Sequence, residues 1–197
     1  MDSSVLPITV IVAISLFVIK EAVELYRRIM ANRHKIAAIK KLLSSEIEKN
    51  NWVVKSLQRH LNGIQDGWYK SEYIIANTYP KGVRLEEKRS DGGGGGSPIF
   101  EVSTSVFDKI VFELPVLDAD LFALAETAYE GVAEIKHITD SLIENITNKV
   151  NHISPDFMIA FCEYALDELN NSHTSLCSLY LKCTGNELTS HKLRTYT

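Results

Sequence analysis

At 197 residues the chain has room for one domain of ordinary size plus a stalk, and its 45% hydrophobic and 23% charged residues are the composition of a folded protein. A net charge of −4 and a pI near 5.9 give no support for a general nucleic-acid-binding surface, so no nucleic-acid partner is expected. Three cysteines, Cys162, Cys177 and Cys183, cannot all pair within one chain, and free thiols in a reducing cytoplasm fit that odd count.

The chain opens on an uncharged run, Val5 to Ile19. As a helix it covers roughly 22 Å, short of a hydrocarbon core of about 30 Å. Ser3, Ser4, Ala22 and Val23 can extend the span while Lys20 snorkels and the bilayer thins locally, and Pro7 sits in the first turn, where its missing N–H costs little. A cleaved signal peptide fits poorly, because Asp2 precedes the run and Lys20-Glu21 follows it; a buried helix is the fairer rival. The expectation is a single-pass transmembrane anchor over residues 1–23. Arg27, Arg28, Arg33, Lys35, Lys40 and Lys41 lie just after it and nothing basic lies before it. That asymmetry predicts an inner-membrane protein with its N-terminus outside, its C-terminal domain cytoplasmic and its basic cluster against anionic headgroups.

A stalk helix follows over 24–66. Apolar residues recur every seven positions at Ala22, Ile29, Ile36, Leu43, Leu57 and Ile64, interrupted by Asn50, with a second row through Leu25, Ile39 and Val53. So long an amphipathic helix needs a partner along its whole face. The partner is either the same helix of a second copy, with Asn50 setting register, or, for residues 45–65, the later helices of this chain, with Asn50 facing solvent. The second arrangement is the better one for 45–65, because the later helices must bury apolar faces too. Self-association then falls on Ile29, Ile36, Ile39 and Leu43, giving a homo-oligomer, a protein partner or both.

Residues 67–102 read as a loop with short strands. Trp68-Tyr69 and Glu72 to Tyr79 are rich in aromatic and β-branched residues and read either as a continuation of the helix through about Tyr73 or as a short strand ending at Pro80, while Val83–Leu85 and Ile99–Val102 are candidates for a small β-hairpin. Gly92 to Gly96 have so much backbone entropy to lose that residues 91–98 are expected as a flexible linker, and no Gly-Lys-Ser/Thr ending makes them a phosphate loop.

The helical part spans 103–185. Ser103-Thr104-Ser105 offers a hydroxyl cap to a short helix ended by Pro115. Asp118 or Asp120 caps a second helix whose face runs through Leu121, Leu124, Ala125, Ala128, Val132, Ile135, Ile138, Leu142, Ile146 and Val150. Tyr129 and Gly131 mark a close-packing point on it. Ser154-Pro155-Asp156 starts a third helix, ending at Gly185, before a polar tail over 186–197. The fold class is therefore all-α with room for a small β-hairpin in the middle: the transmembrane helix continues into a long amphipathic helix that packs with two further long helices as an up-down bundle.

Leu42 to Asn50 (Leu-Leu-Ser-Ser-Glu-Ile-Glu-Lys-Asn), Ser103 to Phe107 (Ser-Thr-Ser-Val-Phe) and Leu124 to Glu130 (Leu-Ala-Glu-Thr-Ala-Tyr-Glu) behind an apolar run resemble a loose group of small bacterial membrane-anchored helical proteins. The resemblance covers roughly residues 5 to 145, leaves out the glycine run and the last helix, and implies no activity.

Candidate chemistry is sparse. His173 and Cys177 are one helical turn apart, but with Cys183 and His191 they make no standard zinc motif. Cys162 beside Glu163 lies on an apolar helix, where an inert thiol is the commoner outcome. Glu126, Glu130 and Glu134 have bundle-site spacing, yet the Glu-x-x-His pair a di-metal centre needs twice occurs once, at Glu134 and His137. No catalytic, cofactor-binding or metal residue is expected. The function the sequence suggests is a single-pass membrane-anchored helical scaffold or accessory subunit acting through protein contact or self-association, not an enzyme. The alternative is an oligomerising, pore-forming membrane effector regulated by its soluble helical part.

Overall fold

The computed structural model describes residues 7–78, 82–148 and 154–189. The elements are α1 (Ile8–Gly67), β1 (Ser71–Thr78), β2 (Gly82–Arg89), β3 (Gly94–Pro98), α2 (Phe107–Ile110), α3 (Leu114–Leu117), α4 (Ala119–Thr147) and α5 (Pro155–Thr184). The chain divides into two compact units, Met1–Ile39 and Lys40–Thr197.

The expected membrane anchor is corrected: among the described residues no helix is long and apolar enough to cross a membrane. From Ile8 the uncharged part of α1 reaches only Ile19 before Lys20, Glu21 and Glu24 enter. That is about 18 Å of helix against about 30 Å of hydrocarbon. Ser3 and Ser4, which were to lengthen the span, lie outside the described residues. The inner-membrane location and its orientation fall with the anchor.

The first unit is, over its described part, one amphipathic helix with its large apolar side chains on the surface. Ile8, Leu16, Phe17, Ile19 and Leu25 are each about 60% exposed or more, up to 79% at Ile8.

The second unit holds the core. Leu43, Ile47, Val54, Leu57, Leu61 and Ile64 from α1 are buried with Leu121, Ala125, Val132, Ile135, Ile138 and Leu142 from α4 and with Met158, Cys162, Ala165, Leu169, Leu176 and Leu179 from α5. Each fully buried Leu or Ile contributes about 1.5–3 kcal/mol relative to exposure. Local chemistry sets the helix ends. The Asp118 side chain accepts from Leu121 N–H at the start of α4, and Ser154 accepts from Phe157 N–H at the start of α5. Gly185 closes α5 at φ 73°, a left-handed conformation that glycine adopts without strain.

Cross-links between helices fix their directions. Glu48 meets Tyr180 and Gln58 meets Asn170, so α5 runs antiparallel to α1. Glu134 meets Tyr164, and Gly131 approaches Ser172, so α5 also runs antiparallel to α4. Hence α1 and α4 are parallel, which a simple up-down bundle does not allow. The return is made by a strap without regular secondary structure over residues 99–104, which turns at Ser105-Val106 into α2.

The all-α expectation is also corrected, since the mostly helical structure (73%) carries a three-stranded antiparallel sheet in the order β1-β2-β3. Ser71 pairs with Arg89 and Thr78 with Gly82; Arg84 pairs with Pro98 and Lys88 with Gly94. The strand end expected at Pro80 lies outside the described residues, as do Val150 and the tail from residue 190. Residues 94–98, expected within a flexible linker, form β3 instead. A Cβ at Gly94 would collide with the Glu87 carbonyl oxygen, so this edge of β2 accepts a strand without side chains at the contact. Gly92, at φ 81°, makes the turn that precedes it. Pro98 offers no N–H, and Arg84 Nη2 donates to Gly96 O at 2.9 Å, two features that blunt the sheet edge.

Candidate functional site

The strap runs back along α1. His60 Nε2 lies 2.6 Å from Ser97 Oγ, the Trp52 and Phe100 rings meet edge-on at 3.9 Å, and Asn50 and Glu46 then hold Ser103 to Phe107. Residues 97–107 thus run back along the three to four turns of helix between His60 and Glu46.

Asn50 is fully buried and grips the strap as a neighbouring strand would. Its Nδ2 donates to Ser103 O at 2.8 Å, and its Oδ1 accepts from Ser103 N–H at 2.8 Å. One turn earlier on α1, Glu46 is 2% exposed. Its carboxylate accepts from Ser103 Oγ at 2.7 Å, Ser105 Oγ at 3.1 Å, Val106 N–H at 3.0 Å, Phe107 N–H at 3.3 Å and the Tyr129 hydroxyl of α4. Phe107 stacks on Tyr129 with ring centroids 4.2 Å apart. The hydroxyl cap expected from the Ser103-Thr104-Ser105 stretch is therefore supplied from another element: α2 has no side-chain cap of its own, and the Glu46 carboxylate takes its free N–H groups.

Burial pushes the Glu46 pKa up, but the bonds from Tyr129, Ser103, Val106 and Phe107 outweigh it and hold the carboxyl below the ordinary glutamate value. Burial, and then the bond to Glu46, push the Tyr129 hydroxyl far up. With five donors on two oxygens, Glu46 has no acceptor capacity left for a substrate proton. The arrangement clamps the strap and is not built as a general base.

Beside the clamp, a cavity of about 310 Å³ is lined by Glu101, Val102 and Thr104 of the strap and by Val132, Ala133, Lys136, Thr139 and Asp140 of α4. It brings together charged and hydroxyl groups. Thr139 Oγ1 is already committed to Ile135 O at 2.8 Å, and Thr104 Oγ1 donates to the Asp108 carboxylate at 2.7 Å.

The remaining candidates are placed as follows. Ile29 is exposed and Ile36 half-buried, whereas Ile39 and Leu43 are buried. Arg27, Arg28, Arg33, Lys35 and Lys41 are exposed along α1 and Lys40 is half-buried; Arg28 pairs with Glu24 at 4.0 Å, a solvated contact worth little. Cys177 Sγ lies 3.7 Å from the His173 ring, while His191 is outside the described residues. Burial pushes the Cys162 thiol up to about 12 and Cys183 up to about 11, values at which neither is a thiolate nucleophile near neutrality. Glu134 accepts from Tyr164, and Glu126, Glu130 and His137 are exposed. Among the described residues no group of three His, Cys, Asp or Glu side chains could hold a metal ion. The Glu46 clamp was missed in the sequence, where its one signal was a carboxylate and an amide at positions 46 and 50, one turn apart on the apolar face.

Compared with known proteins, the chain matches no family model, no curated protein and no solved structure.

Proposed function

We propose that this protein is a helical scaffold or accessory subunit that works through self-association and protein contact, with the N-terminal part of α1 as its contact element. The observation that carries this reading is the first unit itself. Ile8, Ile11, Ile14, Leu16, Phe17 and Ile19 stand on the surface, with Leu25 and Ile29 following, a continuous apolar surface on one helix. Contiguous exposed apolar area of this kind marks an interaction surface, since single scattered residues are the norm elsewhere. In the second unit the exposed large apolar residues are Leu42, Tyr69, Phe112, Val116, Phe157, Tyr164 and Leu181, fewer than on the N-terminal helix and led by Phe112 and Val116. Ile29 remains available from the self-association face, whereas Ile39 and Leu43 already have cover within the chain. The pore-forming alternative drew on a membrane-spanning helix and is not carried further.

The test is the mass of the full chain by light scattering across its accessible concentration range. A mass above the 22.1 kDa of one chain, reduced by Ile19→Glu, supports the reading. A monomer at every concentration sinks it.

A further inference from the structure

Where β3 meets α1, Ser97 Oγ lies 2.6 Å from His60 Nε2, a hydroxyl and an imidazole at the separation a nucleophile and its base require. Ser97 is exposed, so its hydroxyl is open to a reagent. Burial, and then Arg59, lower the His60 pKa below 6.5, which keeps the ring neutral at neutral pH and able to take a proton.

The pair opens onto a cavity of about 300 Å³, whose other walls include Gly63, Tyr73, Leu85, Glu87 and Gly95. That size is at the low end of the roughly 300–1,000 Å³ spanned by small-molecule sites. Two glycines make the room. A Cβ at Gly63, one turn after His60, or at Gly95, on the same face of β3 as Ser97, would meet nothing within 4 Å. The polar walls are already engaged: the Tyr73 hydroxyl donates to Gly63 O at 2.8 Å, and the Glu87 carboxylate accepts from Ser71 Oγ at 2.8 Å and Arg89 Nε at 2.9 Å.

The glycine strand also supplies a donor beside the nucleophile. Arg89 N–H donates to Gly93 O and Ile99 N–H to Val83 O, so the alternation of an antiparallel ladder turns the N–H groups of Gly95 and Ser97 toward β2 and that of Gly96 outward. β3 is the outer strand, and an outward N–H next to Ser97 can stabilise charge developing on a carbonyl oxygen. Behind the imidazole no carboxylate stands: His60 Nδ1 is buried and has no partner among the described residues. The pair is a dyad, and an imidazolium formed there gains no counter-charge, so turnover should be slow.

We propose that Ser97 and His60 act as nucleophile and general base in the hydrolysis of small uncharged carboxylic esters, a further activity independent of the self-association reading above. The class follows from the walls, since Leu85, Tyr73 and the glycines suit a short acyl group, and a dyad suits an ester, whose alcohol leaves more readily than an amine. Ser97 Oγ bonds to the ester carbonyl carbon as its proton passes to His60 Nε2. The carbon–oxygen bond to the alcohol then breaks, Nε2 returns the proton to the departing oxygen, and the acyl group stays on Ser97. Water repeats the exchange: Nε2 takes its proton, the acyl–Oγ bond breaks, Ser97 recovers the proton and the acid leaves.

The test uses the full chain with p-nitrophenyl acetate. The wild type should release p-nitrophenolate faster than the heat-unfolded chain, and peptide mapping at early times should find the acetyl group on Ser97. Ser97→Ala and His60→Gln should each lower the rate by about 10²-fold. Gly95→Val, which fills the cavity and keeps the pair, should lower it as well, with thermal unfolding checking that each variant is folded. The mapping needs no variant and decides the matter where one fails to fold. Acetyl groups found only on lysines or other histidines, or a rate that Ser97→Ala leaves unchanged, would overturn the proposal and leave the contact as a fastening of the strap.

Discussion

The Glu46 carboxylate of α1 accepts the Tyr129 hydroxyl of α4, a bond between residues 83 positions apart that ties the two parallel helices together beneath the strap. The same carboxylate holds Ser103, Ser105, Val106 and Phe107, so one side chain joins three segments that no run of local sequence connects. Removing its charge while keeping its shape leaves the donors of α2 facing a weaker acceptor. Glu46→Gln should lower stability by about 2–4 kcal/mol and Tyr129→Phe by about 1–2 kcal/mol. In a double-mutant cycle read from urea midpoints the two losses should fall short of additive, because each variant breaks the same bond. Full additivity would show that the bond contributes nothing.

Asn50 gives a second, separable prediction. Asn50→Leu fills the space but orphans both the N–H and the C=O of Ser103, two part-buried groups. A loss of about 2–4 kcal/mol is expected, at about 1–2 kcal/mol for each stranded backbone group. Amide exchange at Ser103 should accelerate ahead of the helix cores, because the strap can lift while α1, α4 and α5 stay packed. Unchanged exchange there would mean that Phe100 and Phe107 hold the strap unaided.

These two residues also show where the sequence stops being informative. The ends of α4 and α5 were legible, because Asp118, Ser154, Pro155 and Gly185 act on N–H and C=O groups within four residues of themselves. The apolar steps of three and four mark Leu121, Ala125, Ala128, Val132, Ile135, Ile138, Leu142 and Ile146, all buried, but on α5 the same steps also pass through Phe157 and Tyr164, which are exposed. Asn50 was read as a register residue or as solvated, and Glu46 not at all, because their partners lie 53 to 61 positions ahead on a strap whose path is set by tertiary packing. The glycine run was judged by its entropy alone, which omits the offset available when β2 offers it a ladder. The apolar N-terminal run is short of a membrane span on its own length, and the extension expected from Ala22, Val23 and a snorkelling Lys20 fails because Lys20, Glu21 and Glu24 enter at once.

The pH dependence of stability should have two limbs. His60 is held below its ordinary value of 6.5, first by burial and then by Arg59, and His173 is lowered by burial and then by Lys55. Both are favoured neutral in the fold, so below about pH 6.5 the unfolded chain binds the extra proton and stability falls. Glu46 is held below 4.5, so its contribution is present above that value and is lost as pH falls through its lower folded pKa. Thermal unfolding across pH should therefore show a decline starting near 6.5 and a steeper one in acid. His60→Gln with His173→Gln should flatten the first decline and Glu46→Gln the second. A wild-type profile with no slope between about pH 6.5 and 4.5 would refute the assignment of the first limb to the two histidines.

Gly131 sets the approach of α4 to α5. A Cβ placed there would lie 3.1 Å from Ser172 Cα and 3.2 Å from Ser172 Cβ, with the backbone of α5 behind them. Alanine at a helical glycine normally gains about 1 kcal/mol of helix propensity, and here that gain meets a contact relieved only by moving one helix a few tenths of an ångström. Gly131→Ala should therefore come out near neutral. Gly131→Leu has no such relief and should cost upwards of 2 kcal/mol, because a branched side chain must push α5 away along the row from Ala165 to Leu176. Ser172→Gly introduced beside Gly131→Leu should recover part of the loss by giving space back at the contact, partly offset by a second helical glycine. Equal urea midpoints for Gly131→Ala and Gly131→Leu would show that the two helices separate freely at this point and that the glycine is not what brings them together.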